Sequence, residues 1–226
     1  MGISSLIPKS FKRAMLKRFR QEWPNWQREL TKDFPQVELE EKHVANTRLL
    51  PSRNHLLDLL PKGAIASELG VAQGDFTREI IDRTQPKKLH LVDVWASARY
   101  HDGLSKLVAD KFKSEIESGQ VEINRGYSTE WLPKYEEGYF DFIYIDTDHT
   151  YGTTAQELEL ARTKMKKGGI IAGHDFTIGA WTSLARYGVV EAVHEFCVKY
   201  DWELIYLTNE TDRLLSFAIR EIGAGE

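Results

Sequence analysis

A chain of 226 residues, 42% hydrophobic and 28% charged, suits one α/β domain with an extension and supplies enough apolar side chains for a core. Its single cysteine, Cys197, excludes an internal disulfide and any multi-cysteine metal site, and no apolar run is long enough to span a bilayer, so a cytoplasmic protein is expected. Residues 1–21 carry six basic and no acidic side chains; with a net charge of −4 overall the remainder carries −10, which argues against general nucleic-acid binding.

Within the basic segment Phe11, Met15 and Phe19 recur at i, i+4 and i+8, which predicts an amphipathic helix over about residues 9–22. Such a helix can lie peripherally on an anionic membrane surface; the same pattern serves a helix packed on its own domain or on a second subunit. A homo-oligomer is expected. From Trp23 to Pro61, Pro24, Pro35, Pro51 and Pro61 punctuate short helices and loops, with Asn54 capping a brief helix through Leu60. Residues 1–61 therefore read as an N-terminal helical extension and 62–222 as the main domain.

That domain opens with the apolar run Ala64-Ile65-Ala66, then Glu68-Leu-Gly-Val-Ala-Gln-Gly74, then Phe76, Ile80 and Ile81 at helical spacing: strand, glycine turn, helix to about Arg83. Gly70 allows a positive-φ turn, and Gly74 lets the backbone approach a ligand over the helix N-terminus, where free N–H groups favour an anion. Asp93 follows Gly74 by nineteen residues and ends the run Leu89–Val92, a place from which a carboxylate accepts from ribose hydroxyls. A nucleoside with an anionic tail fits; a glycine turn that binds nothing is the alternative. The turn lacks the G-x-G-x-x-G of nicotinamide dinucleotide sites.

Leu104, Leu107, Val108, Phe112 and Ile116 predict one further helix, and Val121–Ile123 a strand that delivers Gly126-Tyr127-Ser128 to its carboxyl end. Ser128 also reads as a helix N-cap. The run Tyr139–Ile145 is an apolar strand whose tip carries Asp146, Asp148 and His149, and a charge at such a tip is costly unless it serves a site. Leu158, Ala161 and Met165 mark a helix, Gly168-Gly169 a turn, and Ile170–Ala172 a strand ending in Gly173-His174-Asp175. Neighbouring strands lie about 5 Å apart, which brings Asp146 and Asp175 within reach of one ion or substrate. Thr177–Gly188, with Trp181, Arg186 and Tyr187, is expected to overhang the substrate. Val189 to Cys197 forms a helix, Glu203–Leu207 and Leu214–Ile219 form strands, and Asn209–Asp212 joins them as a hairpin.

With Glu68, Gly70, Ala72 and Gly74 followed by Asp93, the chain resembles the class I S-adenosylmethionine (SAM) methyltransferases, with Ala72 where their motif has its middle glycine. The run Ile145-Asp-x-Asp-His-x-Tyr151, followed by Gly168-Gly-x-Ile-x-x-His-Asp175, resembles a bacterial subfamily of small-molecule and sugar methyltransferases. It is also similar to the metal-dependent catechol and macrolide-sugar O-methyltransferases. The resemblance implies a Rossmann-like, seven-stranded, mostly parallel sheet with helices on both faces and a C-terminal antiparallel hairpin. It implies SAM as cofactor, held by Glu68, Gly70, Gly74, Asp93, Val94, Trp95, Tyr127, Ser128 and Asp146. It further implies Mg²⁺ on Asp146 and Asp175. His149 stands where the catechol enzymes carry a Lys base, His174 is a second candidate base, and Phe176 replaces their Asn. The implied activity is methyl transfer to a hydroxyl of a small molecule or glycan, with no nucleic-acid partner. The alternative is a non-catalytic SAM-binding scaffold tethered by the basic helix.

Overall fold

The computed structural model describes residues 8–96, 101–180, 185–210 and 214–224. The chain forms two compact units, Met1–Pro35 and Gln36–Glu226. Among the described residues the first holds one helix, α1 (Lys9–Thr31), which continues past residue 22 through Pro24 and has no buried residue. Phe19, Trp23 and Trp26 follow one another along it as tilted ring pairs with separations of 5.2 and 6.4 Å.

The second unit begins before the apolar run at Ala64. Strand β1 (Arg48–Leu50) is followed by α2 (Arg53–Leu59), with Ser52 rather than Asn54 at its N-cap, then β2 (Ile65–Leu69) and α3 (Asp75–Thr84). Next come β3 (Lys88–Asp93), α4 (Asp102–Lys111), α5 (Lys113–Glu117), β4 (Val121–Arg125) and α6 (Ser128–Trp131). The single helix expected over 104–116 is thus two, interrupted at Phe112, whose fully buried ring anchors the junction. The chain closes with β5 (Phe140–Ile145), α7 (Tyr151–Lys164), β6 (Met165–Gly173), a short hairpin of β7 (Gly179–Ala180) and β8 (Ala185–Arg186), α8 (Val189–Tyr200), β9 (Trp202–Thr208) and β10 (Phe217–Glu221). Gly168-Gly169, expected as a turn before β6, lies inside it, where the pairing with β5 shifts register between Phe140 and Phe142. Of the residues expected to overhang the substrate, Trp181 lies outside the described residues, as does Asp212 of the last connection.

The main sheet has eight strands in the order β1-β9-β10-β6-β5-β2-β3-β4, one more than expected. The extra strand is β1, three residues paired in parallel with Tyr206–Thr208 of β9, too short for any periodic signal. All pairings are parallel except those of β10, which runs antiparallel to both β6 and β9, so the expected terminal hairpin is present. The central strands read as unbroken apolar runs because both faces are covered. Phe142 and Tyr144 of β5 point into a core shared with α3 and α4, whereas Ile143 and Ile145 face one shared with α7 and α8. The direction of strand addition reverses between β2 and β5, and ligands of open α/β sheets sit outside the strand carboxyl ends at such a switch.

Candidate active site

The glycine loop lies against the tip of β5. Asp146 donates its backbone N–H to the Leu69 carbonyl at 2.8 Å, and Gly70 donates to Val92 at 2.9 Å. At Gly70, with φ of 87°, a Cβ would sit 1.9 Å from the Asp146 carbonyl oxygen, so glycine is required by both conformation and contact. Ala72 adopts φ of 52° despite its methyl group, a left-handed conformation that costs about 1–2 kcal/mol in a non-glycine residue. Asp93 holds it there: one carboxylate oxygen accepts from the Val71 and Ala72 amides at 2.9 Å each, and the other accepts from the Trp95 amide at 2.9 Å. Gly74 is left-handed at the N-cap of α3 and packs on the Phe112 ring, which is the constraint that selects glycine there.

Above the loop opens a cavity of about 570 Å³, within the range of small-molecule and cofactor sites. Of the expected cofactor residues, Glu68, Gly70, Asp93, Val94, Tyr127, Ser128 and Asp146 line it. Gly74 and Trp95 do not: Gly74 packs on Phe112, and the Trp95 ring is fully buried under the loop with its indole N–H donating to the Ala72 carbonyl at 2.8 Å. Tyr127 is exposed at the mouth and is itself the N-cap of α6. Ser128, expected as a cap, instead donates its hydroxyl to the buried Glu157, which also accepts from Thr147 at 2.9 Å.

Two buried carboxyls lie close by: Glu68 lines the cavity, and Glu157 sits behind the lining residues Ser128 and Thr147. Burial pushes Glu68 up to about 8 although the Thr77 hydroxyl donates to it at 2.6 Å, and burial pushes Glu157 up to about 7. Each is therefore available in its neutral form as a hydrogen-bond donor near neutral pH. The folded chain retains on Glu68 a proton that the unfolded chain releases above about pH 4.5, so stability falls as pH rises from there to about 8. Glu68→Gln, which keeps an acceptor for Thr77, is expected to flatten this fall in Tm and to exceed the parent at the alkaline end. Parallel melting profiles would show that Glu68 is not the group responsible.

The opposite wall carries Asp146 and His149. His149 Nδ1 lies 2.8 Å from one oxygen of Asp175, and His174 Nδ1 lies 3.2 Å from the other. Asp175 is buried, which alone would raise its pKa, but the two imidazoles outweigh burial and hold it well below the usual carboxylate range. His149 is shifted upward in turn: burial lowers it, while the Asp175 hydrogen bond and charge prevail. Burial raises Asp146. Both His149 and Asp175 adopt left-handed backbone conformations, with φ of 61° and 57°, the kind of strain that gathers at functional sites. His174 sits behind Asp175 rather than on the cavity; its Nε2 is buried without a partner beside a void of about 10 Å³.

Asp146, His149 and Asp175 each offer one ligand atom, all within 4.8 Å of one another. That donor set fits a divalent cation. An imidazole with two carboxylates suits a first-row transition ion better than the Mg²⁺ implied by the carboxylates alone.

Two residues near the site, Arg53 and Glu157, are absent from the candidates the sequence supplies. Arg53, at the start of α2, stacks its guanidinium 4.3 Å over Phe76 and reaches within 3.8 Å of Asp146, with its Nε buried and unpartnered. No local signal marks it, because the packing of α2 brings it there. Glu157 did have a signal: it shares the buried face of α7 with Thr154, Leu158 and Ala161, where a carboxylate is out of place.

Residues 67–176 match the model of a family described as a methyltransferase domain. The Aquifex aeolicus SAM-dependent methyltransferase superposes with a TM-score of 0.54 at 12% identity, covering 74% of this chain and 87% of that one. The fold is that of the SAM-dependent methyltransferases. The B. subtilis tRNA methyltransferase TrmK matches with a TM-score of 0.53 at 16% identity, over 77% of this chain and 67% of its own. The pyocyanin biosynthetic protein PhzM matches at 0.57 and 14%, over 74% of this chain, which spans 53% of PhzM. No curated protein sequence matches the chain.

Proposed function

We propose that this protein transfers the methyl group of SAM to a hydroxyl of a small molecule or glycan. The observation that carries the reading is the meeting of two walls at Gly70: the loop pinned by Asp93 on one side, and Asp146 with the His149–Asp175 pair on the other, around a single cavity. Among the described residues the lining includes the carboxylates Asp75, Asp93, Asp146 and Asp148 against one arginine, Arg53, which favours a hydroxylated acceptor over a polyphosphate chain such as RNA.

Methyl transfer from a sulfonium is an in-line displacement, so the protein must align donor and acceptor and take the acceptor's proton. The backbone of the glycine loop and the N-terminus of α3 would hold the methionine end of the cofactor, and Asp93, which accepts three backbone hydrogen bonds, has one acceptor site left for a ribose hydroxyl. Asp175 fixes the His149 ring through Nδ1, leaving Nε2 to accept the hydroxyl proton. Arg53 stands beside Asp146 and limits the negative charge there. In an ion-bound form Asp146, His149 and Asp175 would instead hold a divalent cation, which would lower the pKa of a coordinated hydroxyl so that its proton could leave without His149 as base.

Calorimetry tests the cofactor assignment. SAM or S-adenosylhomocysteine is expected to bind in the micromolar range, about −8 kcal/mol. Asp93→Ala removes the acceptor for two loop amides and for the ribose, and is expected to weaken binding by more than about tenfold, since hydrogen bonds to charged groups contribute about 1.5–3 kcal/mol. Binding of NAD without SAM would overturn the reading. The ion has a separate test: adding Mn²⁺ to chelator-stripped protein should raise Tm, and Asp146→Asn should remove that rise. No rise, together with full turnover in EDTA, would make the aspartates hydrogen-bond acceptors for the substrates instead.

A further inference from the structure

We propose that α1 docks in the plane of an anionic bilayer surface and makes this protein an interfacial one. From Phe11 its apolar side chains advance by four, four, four, three and four residues to Met15, Phe19, Trp23, Trp26 and Leu30. At 3.6 residues per turn these stay on one stripe of the helix. Within its own unit the helix leaves this stripe without a partner: Phe11 is 56%, Met15 58%, Trp26 64% and Leu30 49% exposed, and Trp23 is half-buried. The first half of the helix carries Lys9, Lys12, Arg13, Lys17, Arg18 and Arg20 with no carboxylate; Glu22 and Glu29 come only later. Cations flanking a stripe of Phe, Trp and Leu are the combination that seats a helix at the headgroup boundary, with aromatic rings at the interface and basic groups among anionic headgroups.

A second copy of α1 is a poorer occupant. The stripe's spacing is longer than the 3.5-residue repeat of a coiled-coil seam, and Lys12 falls within it, where a packed seam would bury the ammonium. At a bilayer the same lysine extends its stem along the apolar surface and keeps its charge among the headgroups. No helix among the described residues is long and apolar enough to cross a membrane, so the geometry is that of a helix lying on the surface. The net charge of −10 outside residues 1–21 keeps the rest of the chain from replacing α1 in this contact.

The test is sedimentation of the full chain, without cofactor, with vesicles of phosphatidylcholine alone and with vesicles containing about 30% phosphatidylserine. The protein should pellet with the anionic vesicles only and be released by salt near 1 M, where screening is nearly complete. Replacing Lys17, Arg18 and Arg20 together by Gln should lower partitioning by about a hundredfold, at roughly fivefold per cation. Phe11→Ser with Phe19→Ser should abolish it, with the Tm of the main unit unchanged. Protein that stays in the supernatant with both vesicles, or that binds both equally, overturns the proposal. So does a dimer in light scattering that the two Phe→Ser changes convert to monomer without any vesicle binding; that result gives the stripe to a second copy.

Discussion

His149→Gln is expected to lower kcat by about 10²–10⁴ while leaving the affinity for SAM unchanged, the span associated with loss of a positioned proton acceptor. His149 stands on the acceptor wall, across the cavity from the loop that Asp93 pins, so its loss removes chemistry without touching cofactor contacts. The pH profile carries the stronger discrimination. Only the neutral imidazole accepts a proton, so kcat/KM should rise with pH through the His149 pKa, and the Asp175 partner places that limb above the ordinary histidine value of 6.5. His149→Gln should abolish the acidic limb. Asp175→Asn removes the stabilising charge while keeping a hydrogen-bonding group, and should move the limb to lower pH. A His149→Gln enzyme with near-parental kcat and the same acidic limb would remove His149 from proton transfer.

The parts of this site legible in the sequence are those that local chemistry dictates. Gly70 and Gly74 announce a tight turn because left-handed backbone selects glycine, and Asp93, Asp146 and Asp175 stand out because apolar parallel strands end in carboxylates that nothing nearby requires. The parts that stayed hidden depend on where distant segments pack. Strand β1 takes its identity from β9, 158 positions along in the pairing Arg48↔Tyr206, and α2 follows it to bring Arg53 over Phe76. Side-chain direction was equally illegible: Trp95 turns under the loop because its amide and indole satisfy Asp93 and Ala72, and His174 turns behind Asp175. Spacing places a residue at a strand tip, whereas the direction of its side chain is decided by the polar groups it must satisfy.

Gly70→Ala is expected to cause the largest loss of stability and to empty the site of cofactor. Two penalties coincide at this position. The left-handed φ of 87° is unfavourable for any side chain, and the new methyl carbon would stand 1.9 Å from the backbone carbonyl oxygen of Asp146, which no rotamer change relieves. Gly63 separates the two effects, because it has φ of 66° with nothing within 4 Å of where its Cβ would be. Gly63→Ala should therefore cost only the backbone term, about 1–2 kcal/mol, with cofactor affinity intact. Gly70→Ala must in addition part the tips of β2 and β5, straining the Asp146-to-Leu69 hydrogen bond that closes them. That movement displaces the loop Asp93 pins and the carboxylate of the opposite wall together, so SAM affinity and turnover should fall jointly, with a Tm loss well beyond that of Gly63→Ala. Denaturant melts of the two variants beside SAM calorimetry make the comparison. Equal stability losses, with SAM still bound by Gly70→Ala, would show that the two strand tips do not meet as tightly as this contact requires.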